Sequence, residues 1–324
     1  MAEAADTPLS MIDLKPPPSD MQSEVLAGLM HSPKSIAPKF FYDARGSALF
    51  ERITALPEYY PTRTEIGILR THGADIAAAA GPEKLLIEFG SGSSAKIRLL
   101  LDALRPTLYL PVDISHERLA SAAAELQRDY DWLQIQPICA DYSRLFELPD
   151  IPYDGRRLAF FPGSSIGNFE PDQAVRFLGN VASLVGMHGH LLIGIDLKKD
   201  TTILERAYDD VQGLTAAFNR NLLHHINAAL GADFDPEAFD HRARYNPRAG
   251  RIEIHLVSQL DQMVRLAGRR IRIRAGEAIH TENSYKYHAH EFDELAADAG
   301  FRLCRRWTDA RRWFCVALYE HAAV

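Results

Sequence analysis

The chain has 324 residues, room for roughly two domains and a sizeable buried core. Hydrophobic residues make up 47%, charged residues 24% and aromatics 9%, which excludes wholesale disorder, a collagen-like repeat and a coiled-coil rod. The 36 Lys and Arg against 43 Asp and Glu leave a net charge of −7, a balance that argues against a nucleic-acid partner.

In chain order, residues 1–20 carry Glu3, Asp6, Asp13 and the prolines Pro16, Pro17 and Pro18. They lack the cationic start and apolar stretch of a signal peptide and read as a loose, mostly extended leader. From 85 to 197, short apolar runs alternate with helical patterns. Residues 85–89 predict a buried strand running into the glycine loop Gly90-Ser91-Gly92. Lys96, Leu99, Leu100 and Leu104 predict a helix that ends before Pro106. A second strand at 109–112 ends on Asp113, and Leu119, Ala122, Ala123 and Leu126 share one helical face. Runs at 135–140, 158–161 and 190–195 lead to Asp141, to Pro162-Gly163 and to Asp196. Strands separated by helices mean β-α-β units and a mostly parallel sheet covered on both faces.

Beyond Asp196 the rhythm changes. Residues 202–230 predict one or two helices through Leu204, Tyr208, Val211, Leu214 and Phe218. Residues 251–257 alternate strictly, with Ile252, Ile254 and Leu256 on one side, while 263–266 and 271–273 flank the turn Ala267-Gly268. This antiparallel character predicts an inserted lobe. A helix from His290 through Phe292 and Leu295 ends at Ala299-Gly300-Phe301, and runs near 301–306 and 313–319 would complete the first sheet.

No run approaches the ~18 apolar residues of a membrane span. Cys139, Cys304 and Cys315 form no C-x-x-C, so neither a disulfide framework nor a zinc knuckle is predicted, and a reducing cytoplasm fits best. The pairs His188-x-His190, His224-His225 and His288-x-His290 lack further ligands at recognisable spacing, so no metal is expected. Arg265, Arg269, Arg270, Arg272 and Arg274 read as the solvated face of a strand pair.

The chemistry gathers at strand ends. Gly90-x-Gly92-x-x-Ala95 fits a dinucleotide-type loop, where a Cβ would block close approach of backbone to ligand. Alone it is a weak signal. Glu88 precedes it in the acidic-x-Gly-x-Gly order that suits S-adenosylmethionine (SAM). Asp113 is placed to accept from both ribose hydroxyls, and Asp141, with Tyr142 beside it, from the adenine amine. Any one of these acids reads as readily as a helix cap. Three at consecutive strand ends favour a nucleoside ligand. The closing Ala299-Gly300-Phe301 and two terminal strands favour a Rossmann-like class I SAM-dependent methyltransferase over a nicotinamide enzyme. Lys96 either reaches the methionine carboxylate of SAM or is a solvated helix lysine, and the residues leave both open.

Longer strings are more specific. Phe41-Tyr42-Asp43-Ala44-Arg45-Gly46-Ser47-x-Leu49-Phe50-Glu51 and Leu56-Pro57-Glu58-Tyr59-Tyr60-Pro61-Thr62-Arg63-Thr64-Glu65 resemble the histidine-specific Nα-methyltransferases of ergothioneine biosynthesis. So do Glu88-Phe89-Gly90-Ser91-Gly92-Ser93-Ser94-x-Lys96, Pro162-Gly163-Ser164-Ser165-Ile166-Gly167-Asn168-Phe169 and Ile279-His280-Thr281-Glu282-Asn283-Ser284-x-Lys286. The resemblance covers nearly the whole chain after the leader. It implies transfer of three methyl groups from SAM to the α-amine of histidine, giving hercynine. It also implies a second, α+β substrate lobe: 1–20 as leader, 21–64 plus 198–285 as substrate lobe, and 65–197 plus 286–324 as SAM-binding domain.

By motif position the resemblance implies SAM contacts from Glu88, Gly90, Ser91, Gly92, Lys96, Asp113, Asp141 and Tyr142. Asn168 and Tyr208 would hold the substrate carboxylate, with Tyr42 and the Gly163 carbonyl near the amine. Tyr59 and Ile254 would border the imidazole, Glu282 and Ser284 would read its nitrogens, and Asn283 is counted with them as substrate-binding. The pairing is physically sensible, because an imidazole has two polar edges and a carboxylate plus a hydroxyl can serve both. No general base is conspicuous, since methyl transfer from a sulfonium asks chiefly for alignment and a neutral amine. A monomer with no nucleic-acid or membrane partner is expected. Two readings compete with this one: a related N-methyltransferase acting on another aromatic amino acid or amine, and a binding protein that keeps a dead SAM pocket.

Overall fold

A computed structural model describes residues 10–14, 19–82, 85–91, 94–142, 148 and 155–322. Its main sheet has nine strands. Seven of them run in the lateral order Ile138–Cys139, Leu108–Asp113, Leu85–Phe89, Arg157–Phe161, His190–Asp196, Phe314–His321 and Phe301–Thr308. The first five are parallel. Phe314–His321 enters antiparallel to both its neighbours, which closes the sheet as the predicted terminal strands require. All five side chains of Leu85–Phe89 are buried. This follows from helices on both faces: Tyr60–Ala80 and Ser94–Leu104 pack on one side, Pro171–Val185 and Ala289–Asp298 on the other.

The chain moves outward from Leu85–Phe89 to Leu108–Asp113 and Ile138–Cys139, then returns to place Arg157–Phe161 on the opposite flank. That reversal opens a crevice beyond the carboxyl ends of the central strands, where open α/β sheets bind ligands.

A second sheet has the order Lys34–Ser35, Ala278–Tyr285, Arg251–Ser258, Phe239–Asn246. Ile252, Ile254, Leu256 and Ile279 bury one face of it against the helices Ala44–Thr54, Thr201–Tyr208 and Leu214–Leu230. The hairpin Gln262–Leu266 with Arg269–Ile273 turns at Ala267 and Gly268, both at positive φ (49° and 73°), as a two-residue hairpin loop requires. Its arginines are exposed, as expected of a solvated face.

Three features depart from the expectation. Ile12–Asp13, within the expected loose leader, forms a short strand that pairs parallel with Ile138–Cys139. The run at 135–140 is broken into Gln134–Ile135 and Ile138–Cys139, because Pro137 between them has no N–H for a ladder. Phe239–Asn246 is a strand that carries few apolar residues; it lies at the sheet edge, with only Phe239 and Ala243 buried. Among the described residues, no helix is long and apolar enough to cross a membrane.

Candidate active site

The crevice is a cleft of about 1220 Å³ that gathers Glu88, Gly90, Ser91, Lys96, Asp113, Asp141 and Tyr142. Gly92 lies outside the described residues. Gly90 follows its strand at φ 74°, and a Cβ there would sit 3.3 Å from the Tyr142 hydroxyl. The conformation therefore favours glycine, and an added Cβ would press on the Tyr142 hydroxyl. Tyr142 is held edge-on to Phe89 and Phe161. Asp113 accepts from the Ser115 N–H at 2.9 Å; burial raises its carboxyl, opposed by backbone donors and Arg118. Asp141 pairs with Lys39 at 3.1 Å, an ion pair across the chain that also engages Glu24.

Lys96 is buried, with its ammonium 2.6 Å from Glu65 Oε2, so the solvated-lysine reading is wrong. Glu65 also accepts the Gly163 N–H, at 2.9 Å to Oε2 and 3.1 Å to Oε1. One buried carboxylate thus ties the cleft lysine to the strand-end glycine.

Glu88 is buried and accepts a hydrogen bond from the Tyr109 hydroxyl. Burial pushes its carboxyl up to about 8, against the pull of that bond and of Lys96. In an unfolded chain it would ionise near ~4.3. The folded state therefore keeps a proton that the unfolded chain loses, and this contribution to stability, full below the unfolded value, is lost as pH rises through 8. Thermal melts of the ligand-free protein should show a falling Tm from pH 5 to 9. Glu88→Gln, which retains an acceptor for Tyr109, should flatten that fall; an unchanged slope would locate the proton elsewhere.

A smaller pocket adjoins the cleft, lined by Tyr42, Tyr59, Gly163, Asn168, Tyr208, Ile254, Glu282 and Ser284. Tyr42, Tyr59, Gly163 and Asn168 border both spaces. The parallel strand Arg157–Phe161 delivers Gly163, and the short turn Ser165–Asn168 delivers Asn168. The antiparallel strand Ala278–Tyr285 delivers Glu282 and Ser284. These two share a face because side chains alternate along a strand. Asn283 does not join them: it points to the opposite face, donating to Glu170 Oε1 at 2.7 Å and facing His280 Nε2 at 2.8 Å. The expectation that Asn283 binds substrate is corrected on that parity.

Burial lifts the Glu282 carboxyl to about 7, opposed by Lys286 and by a hydrogen bond from the Asn168 side chain. Burial also raises the Tyr42, Tyr59 and Tyr208 phenols well above their ordinary value, so all three stay protonated. One buried side-chain oxygen of a residue on the pocket wall, Asn219 Oδ1, has no hydrogen-bond partner among the described residues. A wall with such an orphaned atom suits a polar occupant.

Beneath the pocket lies a charged network that sequence reasoning missed. Asp196 accepts from Tyr60, Lys199 and Lys286. Burial would raise its carboxyl, but Lys286 and Lys199 outweigh that and hold it low. Lys286 reaches on to Tyr208 and Ser284. Only the position of Asp196 at a strand end, and of Lys286 two residues after Ser284, hinted at this. Among the described residues, no group of three or more His, Cys, Asp or Glu side chains could hold a metal ion.

Comparison with known proteins adds an independent finding. Residues 21–321 match the profile of a family described as histidine-specific methyltransferase, SAM-dependent. The histidine N-alpha-methyltransferase of Mycolicibacterium smegmatis is 45% identical over 304 residues, 92% of this chain and 94% of that protein. That of Mycobacterium tuberculosis is 43% identical over the same coverage. Ergothioneine biosynthesis protein 1 of Neurospora crassa is 32% identical over 286 residues, 85% of this chain but 32% of that longer protein.

Proposed function

The chain belongs to the histidine-specific, SAM-dependent methyltransferase family, and from that premise we propose that it methylates the α-amine of L-histidine three times, giving hercynine on the way to ergothioneine. The observation that carries this reading is the pocket itself: Glu282 and Ser284 share one strand face, Asn168 bonds to the first and Tyr208 to the second, and the pocket adjoins the cleft beside Gly163. A cytoplasmic monomer, with 21–64 plus 198–285 as substrate lobe and 65–197 plus 286–324 as SAM-binding domain, is part of the proposal. Two separate cores support that division, although the helix Tyr60–Ala80 runs across one boundary.

The residues present fit SAM. Asp113 and Asp141 are acceptors at consecutive strand ends, Gly90 leaves its backbone accessible, Ser91 carries a buried hydroxyl with no partner among the described residues, and Lys96 is a cation with donors beyond its bond to Glu65. Glu88, Gly90, Ser91, Lys96, Asp113, Asp141 and Tyr142 would hold it. Bound there, SAM supplies an electrophilic methyl group on a sulfonium.

Everything else is positioning by the chain. Asn168 and Tyr208 hold the carboxylate of histidine, and Tyr59 and Ile254 border its ring. Glu282 and Ser284 engage the ring nitrogens. Tyr42 and the Gly163 carbonyl orient the amine toward the cleft, and Glu65 anchors Gly163 through its N–H. Because the tyrosines stay protonated they act as hydrogen-bond partners, not bases; orientation and exclusion of water carry the rate.

Incubation with SAM and each of the twenty amino acids, read by mass spectrometry, tests the proposal: histidine alone should gain up to three methyl groups, and a different preferred acceptor would overturn it. Asp113→Ala removes an acceptor for two ribose hydroxyls, each charge-assisted bond being worth about 1.5–3 kcal/mol. Calorimetry should show SAM weakened at least tenfold; unchanged affinity would remove this strand end from the site.

A further inference from the structure

The Lys286 side chain is fully buried and uses three N–H donors within the fold. They go to Asp196 Oδ2 at 2.8 Å, the Tyr208 hydroxyl at 2.7 Å and Ser284 Oγ at 2.8 Å. The two hydroxyls are themselves 2.8 Å apart. Each has a single proton, and one of the two is used between them. The pair therefore has one proton left for whatever enters the pocket, and its direction decides the protonation of the guest.

If Tyr208 donates to Ser284, the free proton is on Ser284 and points at a ring nitrogen. If Ser284 donates to Tyr208, the free proton is on the phenol, and Ser284 offers only a lone pair. A buried carboxylate needs donors far more than a neutral ring nitrogen does. The phenol is also the more acidic hydroxyl and makes the stronger bond to an anion. Resting on the substrate reading above, we propose that Lys286 is a positioning residue that fills one acceptor site on each hydroxyl and leaves the pair a single free proton, which Tyr208 gives to the substrate carboxylate, so that Ser284 only accepts and histidine is bound with one extra proton shared between its ring and Glu282.

The nitrogen facing Ser284 must then carry hydrogen, and the other nitrogen and Glu282 have one proton between them. The groups around Glu282 suit that sharing. Lys286 faces it from just beyond the end of its strand, Asn168 from the Ser165–Asn168 turn, Tyr42 and Tyr59 from the N-terminal segment, and Tyr208 from the helix Thr201–Tyr208. Ile254 opposes it across the sheet. The sole cation of this set, Lys286, is already bonded to Asp196. The carboxyl, lifted to about 7 by burial, is close to the ordinary imidazole value of ~6.5.

The test uses hercynine, whose quaternary amine cannot titrate, bound to the wild-type protein with S-adenosylhomocysteine. Calorimetry at pH 8 in buffers of different ionisation enthalpy counts the protons taken up. Uptake near one is expected, with the hercynine Kd rising close to tenfold from pH 8 to 9. Glu282→Gln offers an amide N–H in place of the shared proton and should bind with no uptake. Ser284→Ala and Lys286→Met remove the constraint and should also bring uptake near zero; if Lys286→Met fails to fold, Ser284→Ala carries the comparison. Binding with wild-type uptake below about 0.2 overturns the proposal and leaves the substrate reading standing. Uptake near one that survives in Ser284→Ala also overturns it. No hercynine binding at all would instead overturn the substrate reading on which the proposal rests.

Discussion

Glu282→Ala should lose histidine affinity by an order of magnitude or more and shift the acceptor preference toward phenylalanine and tryptophan. In the wild-type pocket a buried carboxylate faces any guest. An imidazole N–H satisfies it, whereas a phenyl ring leaves it unpaired, and an unpaired buried acceptor costs more than the bond itself contributes. Alanine removes both sides of that discrimination. The lost charged hydrogen bond is worth about 1.5–3 kcal/mol, and the vacated volume accepts a larger ring. SAM affinity should not change, because Glu282 borders the smaller pocket and not the cleft. The decisive measurement is the ratio of kcat/KM for histidine over phenylalanine and tryptophan in both proteins. A ratio within twofold of wild type would mean that the carboxylate does not read the ring.

What could be read in the chain beforehand was whatever depends on local pattern. A strand running into glycine, with acids at the ends of the next two strands, is enough to place Glu88, Gly90, Asp113 and Asp141 around one crevice, because topology alone brings those strand ends together. Parity along a strand is equally local. It places Glu282 with Ser284 and should have separated Asn283 from them, so that error was avoidable.

Buried charge is a different matter. Lys286, Asp196 and Lys199 look like solvated residues near strand ends. Their burial arises because the chain after His190–Asp196 runs beside the chain after Ala278–Tyr285, with Lys198 N–H bonded to the Tyr287 carbonyl at 3.0 Å. Glu65 sits in a helix where an acid is unremarkable, and only the packing of Tyr60–Ala80 on the main sheet turns it toward Gly163 and Lys96. The Lys39–Asp141 pair joins residues 102 apart in sequence. Contacts of that range follow from the assembled fold, not from any window of residues.

Gly167→Ala should damage the site severely, although it adds a single methyl group. Gly167 lies in the turn Ser165–Asn168 that carries Asn168 to the pocket. Its backbone is not in the left-handed region, so the constraint is space. A Cβ there would stand 2.7 Å from the Tyr285 carbonyl oxygen and 3.1 Å from its backbone nitrogen. Those atoms have nowhere to go, because Tyr285 pairs with Arg251 across the sheet and the next N–H, of Lys286, bonds to the Gly250 carbonyl at 2.8 Å. The turn must therefore lift, carrying Asn168 away from Glu282 and opening the wall common to cleft and pocket. Overpacking of this kind costs about 1–3 kcal/mol of stability. Catalysis should suffer more, since a displacement of about 1 Å in a positioning group costs on the order of a hundredfold. Gly179→Ala is the matched control: it lies in the helix Pro171–Val185 with no atom within 4 Å of its added Cβ, and it should raise stability by up to about 1 kcal/mol with activity retained. Thermal melts and kcat/KM for histidine on both variants decide the matter. Wild-type kcat/KM in Gly167→Ala would show that the turn does not hold the substrate in place.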